Sequence, residues 1–146
     1  MMASSLYAPA MVDVLDATQL ALDLTAAGNK AALFTNLLTP NYLANTSFGS
    51  APYTTNEVVS TGYTAGGLTI TTPTLIAAGS APVITYDADN LSWVGVTLTA
   101  RYAIFYAAGL GGQNLFYGLD FGADFTATSG PFTVIFDTLG VWTWTL

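Results

Sequence analysis

From residue 68 to residue 146 the chain breaks into short apolar segments rich in β-branched and aromatic residues, each closed by turn-forming residues. In order they read "GLTITTPTLI", "PVITY", "LSWVG", "TLTARYAIFY", "LFYGLDFG", "PFTVIF" and "VWTWTL", with "DADN", "GLGGQ", "TSG" and "DTLG" among the dividers. Segments this short at this spacing specify an antiparallel β-sandwich or barrel and leave no room for the crossover helices of an α/β fold. Pro73 inside the first segment marks an edge strand or a bulge, because proline has no N–H to give a ladder.

The first half is organised differently. Residues 8 to 18, "APAMVDVLDAT", place Met11, Val14 and Leu15 at helical spacing with Asp13 and Asp16 off that face, after an Ala-Pro start. This predicts a short N-terminal helix. "NKAALFTN", 29 to 36, reads as a buried strand. Residues 37 to 67 are rich in Pro, Gly, Asn, Ser, Thr and Tyr without a sustained period, so they form a long irregular excursion in which "TTNEVV" suits one helical turn. The expected architecture is therefore mainly β and a single domain over 1–146. It comprises an N-terminal helical segment (1–28), a strand with an irregular interaction segment (29–67) and an antiparallel β core (68–146).

Composition restricts what such a domain does. The chain is 52% hydrophobic and only 8% charged, where an average soluble domain carries roughly 25% charged residues. Its surface must then be largely Thr, Ser, Asn, Gly and aliphatic groups, which repel one another weakly and favour association into a homo-oligomer. A formal net charge of −7 with two basic residues argues against nucleic acid, whose phosphates need clustered cations, and against anionic membrane surfaces. The N-terminal stretch lacks a basic region followed by an apolar run, so no export signal is expected, and no apolar run is long enough to span a bilayer.

Missing residue types remove whole chemistries. Without Cys there is no disulfide framework or thiol nucleophile, and without His there is no imidazole base and no histidine zinc ligand. Lys30 lacks the frame of a phosphate loop. Catalytic, cofactor-binding and metal residues are therefore expected to be none, and no cofactor is expected. Asp120 with Asp124 is the one carboxylate pair a glycosidase reading can use. Asp87, Asp89 and Asn90 in "YDADN" lack the downstream residues of a calcium loop and read better as an Asx-type turn. "NTS" at 45–47 matches a glycosylation acceptor, which matters only on an exported chain.

Arg101 is the conspicuous charge, set inside the aromatic strand "TLTARYAIFY". Folding 97–106 against 115–121 about "AAGLGGQN" in a symmetric register pairs Tyr106 with Leu115, Ile104 with Tyr117, Tyr102 with Leu119 and Arg101 with Asp120. A two-residue slip keeps the faces and makes Asp120 diagonal, and Glu57 is the other candidate partner. The expectation is a structural ion pair. In the last hairpin, centring 131–145 on "DTL" sets Val134 opposite Trp142 and Phe132 opposite Trp144. Trp93, Trp142 and Trp144 thus read as an aromatic core, with a carbohydrate-stacking platform as the alternative.

The order "NKAALFTN", "NEVVSTGYTAGG", "LSWVGVTLTARYAIFYAAG" and "LFYGLDFG", followed by a closing hairpin, resembles a family of small tailed-bacteriophage virion proteins: head decoration, head fibre or minor tail proteins. The resemblance covers most of residues 29 to 137. Its most specific pieces are "GYTAGG", "ARYAIFY" and "LDFG"; where the family carries an Asp after such a Tyr, this chain has Ala107 and Ala108. The resemblance implies a non-enzymatic structural role on the virion, in head or tail; the missing His and Cys, the scarcity of cations and the irregular excursion, of a length that suits an interaction loop, favour the capsid surface over the tail, with synthesis in the host cytoplasm. The implied partners are the major capsid protein or other virion proteins and further copies of the chain, a trimer suiting the three-fold sites of an icosahedral shell.

Overall fold

The computed structural model describes residues 4–15, 22–78 and 83–145, and it shows a mainly β fold of two antiparallel sheets and one short helix. It is not a closed barrel but a sandwich-like arrangement. The chain runs β1 (Ser5–Leu6), α1 (Ala8–Leu15), β2 (Lys30–Phe34), β3 (Leu68–Thr69), β4 (Thr74–Ala78), β5 (Val83–Asp87), β6 (Leu91–Tyr106), β7 (Leu115–Val134) and β8 (Trp142–Thr145). One sheet has the order β1-β7-β6-β2-β3 and the other β4-β5-β8. The helix covers the first part of the expected span; residues 16 to 18 lie outside the described residues.

The centre is the β6–β7 ribbon. Instead of two strands each, "LSWVG" with "TLTARYAIFY", and "LFYGLDFG" with "PFTVIF", run on as single strands of 16 and 20 residues. The glycine and serine signals that look like turns are bulges. Gly95, Gly122 and Ser129 adopt φ of 65°, 79° and 49°, and the ladder shifts register four times along its length. A bulge bends and twists a strand without ending it, so the ribbon curls across the molecule.

The first half of β6 alternates, with Leu91, Trp93, Val96, Leu98 and Ala100 buried and Ser92, Val94, Thr97 and Thr99 exposed. From Tyr102 to Tyr106 every residue is buried, as are Ala31 to Phe34 of β2 beside it. Full burial follows from cover supplied by two other parts of the chain. The excursion lays Phe48 against Phe34 and flat on Tyr106, the latter with ring centroids 3.9 Å apart, and Tyr53 against Phe34. The second sheet brings Tyr86 to Phe116 and Trp142 to Tyr117. Residues 37–67 are thus partly internal, with Leu38, Tyr53 and Val58 in the core.

Three local expectations are corrected. "TTNEVV" forms no helical turn: residues 51 to 55 are hydrogen-bonded turns and Glu57 bridges to Phe34 in β fashion. "GLTITTPTLI" is two strands in different sheets, β3 and β4, because the chain leaves the first sheet at Ile70 and passes Thr72 (φ 48°) and Pro73 before pairing again. The last hairpin does not pair with itself. Leu91 already occupies the ladder of Val134, so the tight turn at Asp137–Gly140 hands the chain to the second sheet, where Trp142 faces Tyr86 and Trp144 faces Ile84.

Candidate assembly surface

Arg101 and Asp120 meet, though not as direct cross-strand neighbours. The symmetric register holds at Tyr106–Leu115 and then slips by one, so Tyr102 rather than Arg101 faces Asp120 in the ladder. Between the pairs Tyr102–Asp120 and Ala100–Phe125, β6 has one residue, Arg101, where β7 has four. The extra residues form a bulge that opens on an Asx-type turn, with the Gly122 N–H donating to Asp120 Oδ1 at 2.8 Å. Across this bulge Arg101 Nε donates to Oδ1 at 2.7 Å and Nη2 to Oδ2 at 3.4 Å. The Asp120 side chain is only 3% exposed, and its hydrogen bond keeps the Arg101 pKa above its already high value.

Replacing Arg101 with Leu strands that carboxylate, since removing one partner of a pair leaves the other unsatisfied. The expected result is a lower denaturant midpoint, with Arg101→Lys restoring only part of it because an ammonium cannot reproduce the two-pronged contact. Coinciding midpoints for wild type and Arg101→Leu would show that the pair contributes nothing.

Glu57 is not Arg101's partner. It accepts from the Tyr63 hydroxyl at 2.7 Å and from the Gly66 N–H at 2.5 Å, while Tyr106 donates to the Gly66 carbonyl at 2.8 Å. "GYTAGG" is therefore a latch that fastens the end of the excursion to β2 and β6. Nothing in residue spacing pointed to this role for Glu57; the glycine pair was its only signal.

The tryptophans are placed for packing. Trp93 and Trp142 are buried, Trp93 against Tyr63 and Phe132 and Trp142 against Tyr86, and neither Nε1 finds an acceptor among the described residues. Trp144 is half-buried on the edge strand β8. Three indoles in these positions present no common surface on which a sugar ring could stack.

The remaining candidates hold structural bonds. Asp124 accepts from Asn36 Nδ2 at 2.8 Å, and Asp120 serves Arg101 and Gly122. Asp87 accepts from the Ala88 N–H and Asn90 from the Phe136 N–H. Among the described residues no group of three His, Cys, Asp or Glu side chains is gathered as metal ligands. Asn45 of "NTS" accepts from Asn41 N and the Tyr53 hydroxyl.

What the fold does display is uncharged β surface. On the outer face of the ribbon Thr99 and Thr126 join hydroxyls at 2.7 Å, and Ser92 and Thr133 do so at 3.0 Å, around Val94. Leu119, Phe121, Phe125, Phe132, Val134 and Ile135 line a groove of about 300 Å³ along β7 whose one carboxylate, Asp120, is held by Arg101. Val94 and Ile135 are each 75% exposed and Ile76 on β4 is 54% exposed. No helix among the described residues is long and apolar enough to cross a membrane. No protein-family model, curated protein or solved structure matches the chain.

Proposed function

We propose that this chain is a non-enzymatic structural subunit of a bacteriophage virion, a decoration protein seated on the outside of the capsid and associating with its own copies. The observation that carries the structural role is the exposed apolar and hydroxyl surface on β strands, in a chain whose only arginine is committed to an internal carboxylate. Surfaces of that kind are stabilised by being covered, and coverage by like surfaces needs no charge. The virion itself comes from the resemblance in "GYTAGG", "ARYAIFY" and "LDFG", and a trimer is the oligomer it favours. The major capsid protein is the proposed partner.

An uncharged contact with the shell is insensitive to ionic strength, whereas one driven by phosphates or surface ion pairs weakens steeply as salt rises. Purified protein mixed with undecorated particles is expected to co-sediment equally in low and high salt. Absence of binding at both, together with labelling of tails on intact virions, would replace the capsid reading with that of a minor tail protein.

A further inference from the structure

All three methionines stand within the first eleven residues and the chain has no cysteine, so the readily oxidised side chains of the β core are its tryptophans and tyrosines. Two tryptophan–tyrosine stacks lie there. Trp93 packs on Tyr63 with ring centroids 6.3 Å apart and planes 30° apart, and Trp142 packs on Tyr86 at 5.6 Å and 13°. Both indole Nε1 atoms are buried without an acceptor among the described residues. The phenols separate the two stacks. The Tyr86 hydroxyl is buried without a partner among the described residues, whereas the Tyr63 hydroxyl donates to Glu57 Oε1 at 2.7 Å and accepts from the Leu33 N–H at 2.9 Å. Tyr53 donates to the amide oxygen of Asn45 and Tyr106 to the Gly66 carbonyl, both far weaker bases than a carboxylate. The Tyr63 stack is also fixed in place: a Cβ at Gly62 would lie 2.7 Å from the Gly95 carbonyl oxygen, so the loop carrying Tyr63 sits directly on β6 beside Trp93.

We infer that Tyr63 and Glu57 form a proton-coupled redox site that drains an oxidising equivalent from Trp93. A one-electron oxidant, such as a photogenerated ruthenium(III) polypyridyl complex, removes an electron from the Trp93 ring and is itself reduced to ruthenium(II). The indole radical cation would be quenched by losing its Nε1 proton, but Nε1 faces no acceptor among the described residues, so the cation persists as an oxidant. An electron then passes from the Tyr63 ring to Trp93 and restores the neutral indole. In the same step the Tyr63 O–H bond breaks and the proton moves along its hydrogen bond to Glu57 Oε1. The products are a neutral tyrosyl radical and a protonated Glu57, and the positive indole and the negative carboxylate have cancelled each other in the process. A phenol that kept its proton would be a poorer electron donor than indole, so the transfer is downhill only because the proton leaves with the electron. The Leu33 N–H stays bonded to the phenoxyl oxygen. Tyr86 has no base to receive its proton, so the closer Trp142–Tyr86 stack does not perform this step. A buried polar atom without a partner calls for a reason, and at Trp93 the reason is that the charge is passed on. The site is independent of where the subunit sits.

Transient absorption after flash oxidation of the protein by that complex is expected to show indole radical decaying as phenoxyl radical grows, both more slowly in D2O. Glu57→Gln keeps an oxygen for the Tyr63 hydroxyl and the Gly66 N–H but removes the base. It is expected to slow phenoxyl growth at least about 100-fold, the low end of what a positioned proton acceptor contributes. Tyr63→Phe is expected to abolish that growth and leave the oxidation product on Trp93 in peptide maps. Tyr106→Phe, which removes the neighbouring bond to Gly66 and leaves the Tyr63 hydroxyl its acceptor, is expected to keep wild-type kinetics, as is Tyr86→Phe. Phenoxyl growth unaltered in Glu57→Gln, or slowed as much in Tyr106→Phe, would overturn the site. A wild-type radical spread evenly over the tyrosines, or formed without a solvent isotope effect, would overturn it as well, and these two readouts decide the matter should Glu57→Gln lose its near-UV circular dichroism.

Discussion

The protein is expected to lose its fold cooperatively once the pH passes about 10, where tyrosine in an unfolded chain titrates. Burial raises the pKa of Tyr7, Tyr53, Tyr86, Tyr106 and Tyr117 in the folded state, Tyr53 and Tyr106 to about 12. Tyr7 and Tyr53 also share a hydroxyl–hydroxyl bond of 2.6 Å, which a phenolate pair cannot keep. A pKa raised by folding contributes stability that is fully present below the unfolded value and is lost as pH climbs toward the folded one. At about pH 11 each of Tyr7, Tyr53, Tyr86 and Tyr106 withdraws about 1.4 kcal/mol. These four together withdraw about 6 kcal/mol, within the range of a small domain's entire stability. Denaturant midpoints followed up the pH scale, with tyrosinate absorbance recorded in parallel, are the check. Flat midpoints are expected up to about pH 10 and then a steep fall, with most of the tyrosinate absorbance appearing only as the fold is lost. Most of the tyrosinate forming smoothly near pH 10 in an intact fold would show that the rings are open to solvent.

Gly67→Ala is expected to be the most damaging single methyl addition. Gly67 has φ of 75°, and a Cβ there would lie 1.9 Å from the Ala31 carbonyl oxygen and 2.5 Å from the Ala32 Cα, both backbone atoms of a buried strand that cannot yield. Relief would require the latch of Glu57, Tyr63 and Gly66 to lift off β2. The expected loss exceeds about 4 kcal/mol, the range reached when backbone strain and a core clash combine. Gly109→Ala, with nothing within 4 Å of its Cβ and no positive φ, is expected to stay within about 0.5 kcal/mol. Equal midpoints for the two variants would mean that the latch is not as close-packed as described.

Local pattern carried much of this fold and stopped short where pairing partners had to be chosen. The β segments of the second half, the hairpin about "AAGLGGQN" and the meeting of Arg101 with Asp120 were all legible, because alternation and one isolated charge specify them locally. The merging of segments into two long strands was not. Gly95 and Ser129 take positive φ in a bulge as they would in a turn, so residue type cannot separate the two. The aromatic alternation of "VWTWTL" suits any neighbouring strand, and only the prior occupation of Val134 by Leu91 sends it to β5. Glu57 was read as a possible ion-pair partner because charge seeks charge; its actual donors, a tyrosine hydroxyl and a backbone N–H, leave no trace in spacing. The exposed uncharged surface was legible only as a deficit of charge, since exposure depends on which strands end up at edges.

The decisive measurement for the proposed capsid role is imaging of intact virions at a resolution that traces strands. Density for the two-sheet domain is expected on the outer face of the capsid, seated on the major capsid protein through surface that carries no basic cluster. The same density confined to the tail, or missing from purified virions that were assembled while the protein was being made, would contradict it.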